Sequence, residues 1–390
     1  MDTEEIIALV RSHPAVAEVP TPQPDDHVRA GMLQVRFRDG REAGLALGLL
    51  SPATGESREA WLARVDQLLA QHVDPGAEVE VNLDEVLPLV RSADYFVAHG
   101  QLQTPLWDRL TGFIGLGLAI DTPSQIRLVG ADELPEDRSP ESVARWRQVA
   151  ATNLTRLVTG PMLRALPHGP DVLAVVQPEA YESSWFAHPT ALADALDHHQ
   201  RTTGTPWLVI PATRGDLILV NSMTHSWHPL IDALEAVLPE RDSVHPVPHL
   251  LVDGVWREYL PPVAPEVVER LRLLRIRAEG RAYEACREAL AAQDPPVVDH
   301  LASFEAAGRD GQVFTWTAIS CELDTTSIPR VDQVGFVLSE STHHMVWFEH
   351  LQARLPHLVT VHPGTFPTRW IVAKPSPADL RVIADMAIDI

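Results

Sequence analysis

Between residues 171 and 222 the chain carries three short apolar runs, at 173–176, 207–210 and 217–220, each reading as a strand. Between the first and second, residues 189–199 place Leu192, Leu196 and His199 at helical spacing. The last two runs are separated by Pro211-Ala212-Thr213-Arg214-Gly215-Asp216, which has the Pro and Gly punctuation of a hairpin. A helix over 227–238 follows. This strand–helix–hairpin–helix unit is the frame to which the flanking segments must fit.

Upstream, Asp2 with Glu5 three residues on opens a short helix through Ser12. Leu33, Val35 and Phe37 alternate with polar residues, as do Ala43, Leu45, Leu47 and Leu49, and Asp39-Gly40 lies between them. That is a hairpin in which Gly40 supplies the positive φ of a tight turn. A helix over 57–72 buries Trp61, Val65, Leu68 and Leu69, and strands are expected at 79–83, 87–90, 113–120 and 126–129. Ser139-Pro140-Glu141 starts a helix with Pro at its favoured first position.

Downstream, Asp253-Gly254 makes a second hairpin, and Pro261, Pro262 and Pro265 mark a linker. A long helix over 265–293 follows. Its Arg270, Arg272, Arg275, Arg277, Arg281 and Arg287 scatter around the axis among glutamates, which predicts a solvated helix with pairs such as Glu266–Arg270. Strands at 313–319 and 334–338, a helix over 344–354, strands at 358–361 and 370–373, and a helix over 377–387 complete the chain. The expected class is α+β or α/β, with helices packed on small mixed sheets. The expected domains are 1–137, an N-terminal α+β domain; 138–262, a middle α/β unit; and 263–390, a C-terminal α/β unit.

Residues 171–188 also align without a gap on 333–350, matching Val172/Val334, Val175/Val337, Trp185/Trp347, Phe186/Phe348 and His188/His350. This predicts an internal duplication of a strand–helix–strand–strand–helix unit, with Trp185 and Trp347 as buried anchors.

Residues 35–40 (VRFRDG) with 45–47 (LAL), 87–91 (LPLVR), 113–121, 150–154 (AATNL) and 209–220 (VIPATRGDLILV) resemble the YtpQ-type family of uncharacterised bacterial proteins. The similarity covers about 60% of the chain and leaves out the last third; Gly215 stands between an Arg and an Asp that are adjacent in the family pattern. The resemblance implies a coherent fold and brings no activity with it.

A formal charge of −22 argues against binding to nucleic acid, which needs a basic face. With Cys286 and Cys321 alone, no disulfide framework or four-Cys metal site can form. The acidic start, MDTEEIIALV, lacks the basic region of a signal peptide, and no apolar run reaches the roughly 20 residues of a membrane helix. A cytoplasmic protein is expected.

His225 and His228, and His245 and His249, have spacings that metal ligands can use, but each pair adjoins Pro and Trp and lacks an evident third ligand. His343, His344 and His350 raise the same question. No metal and no cofactor is therefore expected. No HExxH, GxSxG or P-loop motif occurs; Gly112, Gly115 and Gly117 have the wrong order for a dinucleotide loop. The expectation is an interaction or adaptor protein with a basic or mixed-charge protein partner. The alternative is an enzyme with a cleft site between domains, in which Arg214, Asp216, His188 and His350 contact a ligand or partner.

Overall fold

The structure, a computed structural model, describes residues 3–20, 32–38, 40, 42–46, 50, 57–73, 82, 85–100, 106–122, 125–130, 133, 139–167, 169–239, 242–293, 295–309, 312–339 and 341–388. The chain contacts form two compact units, Met1–Val81 with Pro123–Gln125, and Asn82–Thr122 with Ile126–Ile390. The boundaries expected at 137 and 262 do not coincide with this division. The reason is apolar: Leu87, Val90, Ile114 and Leu116 share one core with Leu173, Val209, Leu219 and Trp256.

The first unit holds helix α1 (Thr3–Ser12), a three-stranded sheet of β1 (Val16–Glu18), β2 (Met32–Phe37) and β3 (Glu42–Ala46), and helix α2 (Arg58–Val73). The expected hairpin is present. Gly40 has φ of +89°, and the register runs from Met32 opposite Ala46 to Arg36 opposite Glu42. Ile6 and Val10, Leu33, Val35 and Phe37, and Trp61, Val65 and Leu69 close the core, with the Trp61 indole donating to the Leu50 carbonyl at 2.7 Å. The strand expected over 79–83 lies outside the described residues, Asn82 apart.

The second unit begins with β4 (Leu87–Ser92), α3 (Ala93–Gly100), β5 (Leu106–Arg109), β6 (Ile114–Thr122) and β7 (Gln125–Leu128). It continues through α4 (Pro140–Leu157), capped by the Ser139 hydroxyl, to β8 (Leu163–Leu166) and β9 (Gly169–Val175). A 3-10 turn (Glu182–Ala187), α5 (Pro189–Thr203), β10 (Trp207–Thr213), β11 (Asp216–Asn221) and α6 (Trp227–Val237) complete the organising stretch. Then come β12 (His249–Val252), β13 (Val255–Glu258) and the long α7 (Pro265–Ala291).

Six strands form an antiparallel sheet in the order β13-β12-β10-β11-β9-β8. Strand alternation divides β10 and β11 between two cores. Trp207, Val209, Leu217 and Leu219 point toward Trp185, Phe186, Leu192 and Leu196. Leu208, Ile210, Ile218 and Val220 point toward Trp227, Leu230 and Ile231 of α6 and Leu271 and Leu274 of α7. Covering both faces explains why these strands read as unbroken apolar runs although the sheet is antiparallel.

The last third contains β14 (His300–Leu301), β15 (Glu305–Arg309), β16 (Gln312–Ser320), β17 (Thr325–Ile328), β18 (Gln333–Ser339), β19 (Thr342–Trp347), α8 (Phe348–Arg354), β20 (Val359–Val361), β21 (Trp370–Ala373) and α9 (Pro377–Asp385). They form two four-stranded sheets, β14-β17-β21-β20 and β15-β16-β18-β19, each with one parallel pair. The fold is thus α+β, with several small antiparallel and mixed sheets.

The gapless alignment does not carry equivalent structure. After β9 the chain enters a 3-10 turn that holds Trp185, whereas after β18 it turns back into the antiparallel strand β19 that ends at Trp347. Trp185 is fully buried and donates to the Gln177 carbonyl at 2.7 Å, while Trp347 is half-buried. The helix expected over 344–354 starts only at Phe348, because His343, His344, Met345 and Val346 pair with β18.

Candidate functional site

The β12–β13 hairpin supplies one wall of a cleft of about 730 Å³. Its turn has φ of +51° at Asp253 and +76° at Gly254, the left-handed pair that a two-residue primed turn requires. From there the register is fixed: Val252 faces Val255, Leu251 faces Trp256, and His249 faces Glu258. Trp256 and Glu258 line the cleft; the Trp256 indole donates to the Phe186 carbonyl at 2.7 Å and stacks on the Phe186 ring.

The second wall is one face of α7, where Arg275, Glu279 and Tyr283 stand one turn apart. Arg275 Nε lies 2.9 Å from Glu258 Oε2 and donates to Glu279 Oε1 at 2.7 Å, so one guanidinium joins both walls. Burial raises the Glu279 pKa, against the pull of Arg275. Burial works the other way on Arg275 and would lower its pKa, but Glu279 and Glu258 outweigh it and leave it raised. The Tyr283 phenol donates to the Thr368 carbonyl and accepts from the Arg330 amide, both at 3.2 Å, and burial raises its pKa. This corrects the expectation of a solvated α7. Glu279, Ala282 and Tyr283 are buried, and Arg270 pairs with Asp232 and Glu235 of α6 rather than with Glu266.

The remaining walls come from the β5–β6 turn, with Phe113, and from the segments around β16, β18 and α8. Asp332 is held in place there by the Thr315 amide and hydroxyl at 2.8 and 3.0 Å. Trp347, Phe348, Glu349 and His350 complete the lining, with Glu349 3.8 Å from Arg330 at the exposed rim.

Behind Glu258 lie two enclosed imidazoles. One ligand atom from each of His245, His249 and Glu258 falls within 4.8 Å of the other two. His245 is 2% exposed, stacks on Phe113, and places Nε2 3.1 Å from Glu258 Oε1. His249 is 0% exposed, and neither ring nitrogen has a hydrogen-bond partner among the described residues. The Val247 and Val209 carbonyls near it favour its charged form without meeting hydrogen-bond geometry, while burial and then His245 push its pKa down to about 3. Burial would raise the Glu258 carboxyl, but its bond with His245 and the charges of His245, Arg275 and His249 prevail and bring it to about 2. Two imidazoles and a carboxylate form a donor set suited to a transition-metal ion.

The four side chains expected at a ligand or partner site fall at three separate places. His350, on α8, lines the cleft. His188 precedes the first residue of α5, with Nδ1 2.9 Å from the Thr190 hydroxyl, and burial lowers its pKa. Arg214 and Asp216 sit at the β10–β11 turn, where Asp216 Oδ2 accepts from the Thr213 hydroxyl at 2.7 Å. That turn packs beside Glu182, whose pKa burial raises, with the Asp216 charge adding to the effect. His225 and His228 are exposed, and His343 belongs to β19 rather than to a helix face shared with His350. Both thiols have pKa values raised by burial, the state of unreactive cysteines.

The spacing of His245 and His249 is visible in the chain, whereas Glu258 joins them only through the register of the hairpin. Counting outward from Asp253-Gly254 places Glu258 directly opposite His249, so the signal was present. No known family model, curated protein or solved structure matches this chain.

Proposed function

We propose that this protein binds a small organic molecule in the cleft between the β12–β13 hairpin, α7 and the β16–β18 sheet, and that the molecule carries a positive charge beside an apolar body. The observation that carries this reading is the cleft's composition. Four acidic side chains, Glu258, Glu279, Asp332 and Glu349, line it with two arginines, Arg275 and Arg330, and Phe113, Trp256, Tyr283 and Trp347 offer aromatic faces. Its volume, about 730 Å³, lies within the range of small-molecule sites. A cation over such a ring gains about 0.5–2 kcal/mol, more as water is excluded. The adaptor reading, with a basic or mixed-charge partner in the cytoplasm, is supported by the net charge of −22 and is the second reading. The resemblance to the YtpQ-type family adds no activity to either.

Calorimetric titration with aryl- and alkylamines, their N-acetyl derivatives and matched carboxylates tests the first reading. Amines should bind and the neutral and anionic analogues should not. Trp347→Ala, at a half-buried position, should weaken amine binding by about tenfold, the equivalent of one cation–π contact. Binding of the carboxylates alone, or of no member of the set, would count against it.

A further inference from the structure

We propose that His245, His249 and Glu258 bind a divalent transition-metal ion of the zinc class at the wall of the cleft. The inference goes beyond the cleft's organic ligand and rests on the cluster alone. Three observations support it. The three donor atoms converge within 4.8 Å of one another. They are positioned by rigid elements: His249 and Glu258 are a directly opposed pair in β12–β13, and His245 is locked by backbone bonds from its amide to Pro211 and from Val247 to its carbonyl. His249 is completely enclosed, yet both its ring nitrogens lack a hydrogen-bond partner among the described residues, although a buried polar group of this kind costs about 1–3 kcal/mol.

A metal ion gives that imidazole the partner it lacks. It would replace the proton that His245 Nε2 shares with Glu258 Oε1. The Val209 and Val247 carbonyls flank the His249 ring, and a backbone carbonyl is a usual second partner of a ligating imidazole. Two nitrogens and one carboxylate oxygen are the donors of open zinc sites, which keep a fourth position for water or substrate. Glu258 reaches the cleft and is ion-paired to Arg275, so the fourth position would adjoin the proposed ligand site.

The test uses the purified full chain, stripped with a chelator and dialysed against zinc alone or cobalt alone. The expected result is one equivalent of zinc, and cobalt absorption bands of tetrahedral intensity. His249→Phe keeps the ring volume against Phe186, and Glu258→Gln changes a side chain that reaches solvent. Each should weaken zinc binding by more than the roughly 10–100-fold lost when a residue merely supports a ligand. His225→Ala, at an exposed histidine, should change nothing. If His249→Phe does not fold, Glu258→Gln decides. Zinc well below one equivalent in the unsubstituted chain, or affinity unchanged by the substitutions that fold, would overturn the proposal.

Discussion

Two clusters of polar groups lie enclosed in the second unit, and they differ in how far their central side chains are satisfied. Arg369 is 0% exposed in the last third and bonds to a hydroxyl and two carbonyls. Its Nε donates to the Ser327 hydroxyl at 3.1 Å, its Nη2 donates to the Ala302 and Ser327 carbonyls at 2.6 and 3.0 Å, and His362 Nδ1 lies 2.9 Å from the same hydroxyl. Those bonds tie β17 to the residues that follow β14 and precede β21, and of the guanidinium nitrogens Nη1 is the one without a hydrogen-bond partner among the described residues. Around His249, His245 and Glu258 bond to each other, both nitrogens of His249 are without a partner among the described residues, and Glu258 opens to a cleft. A guanidinium that bonds two backbone carbonyls and a hydroxyl reads as scaffold; an enclosed imidazole with neither nitrogen bonded, converging with a second imidazole and a carboxylate, suits a ligand.

The largest expected difference between the clusters is in acid. The His249 pKa is about 3 in the folded chain, against an ordinary value of 6.5. Between those values the unfolded chain binds a proton that the native state does not, so stability falls as pH drops from 6.5 to 3, by on the order of 3–5 kcal/mol. Glu258, held at about 2 against 4.5, stabilises above pH 4.5, and that contribution is lost between 4.5 and 2. Urea midpoints across pH 3–7 should show this slope in the unsubstituted chain and a flatter one in His249→Phe. Equal slopes would remove the distinction. His362, lowered by burial and then by the Arg369 charge, adds a part of the same sign.

Next in size is Arg369→Met. It leaves the Ala302 carbonyl and the Ser327 hydroxyl without their donor and should cost about 2–4 kcal/mol. The pH slope from His249 should persist, so the whole stability curve drops with little change of shape. An unmoved urea midpoint at neutral pH would show that the Arg369 cluster is not scaffold. The smallest effect belongs to His249→Phe at pH 7. Removing an unpaired polar ring should leave stability unchanged or raise it by about 1 kcal/mol. A loss above 2 kcal/mol would mean that His249 is a structural residue like Arg369.

The scaffold around these clusters was readable from local chemistry. Gly40, the Ser139-Pro140 cap and Asp253-Gly254 announced their turns and helix start because each depends on a few adjacent residues. The apolar runs of β10 and β11 marked a sheet, but not the two cores that cover it, since those cores draw on residues 87–116 and 227–278. Long-range pairing also misled. The similarity of residues 171–188 to 333–350 predicted equal structure, yet β19 is fixed by its register with β18, which nothing within residues 342–347 encodes. The arginines and glutamates of α7 looked solvated, because their partners Asp232, Glu235, Glu258 and Asp94 stand on other elements. For the site, one half was legible as His245 and His249. Glu258 required combining that spacing with the hairpin register.

The most direct measurement is the thermal midpoint of the unsubstituted chain, Arg369→Met and His249→Phe, each with and without zinc at about 100 times its dissociation constant. A ligand of the native state alone adds about 2.7 kcal/mol at that concentration. The expected result is the same zinc-dependent stabilisation in the unsubstituted chain and in Arg369→Met, from a lower starting point in the latter, and none in His249→Phe. Equal stabilisation in all three, or none in any, would contradict the assignment of the open cluster as a binding site.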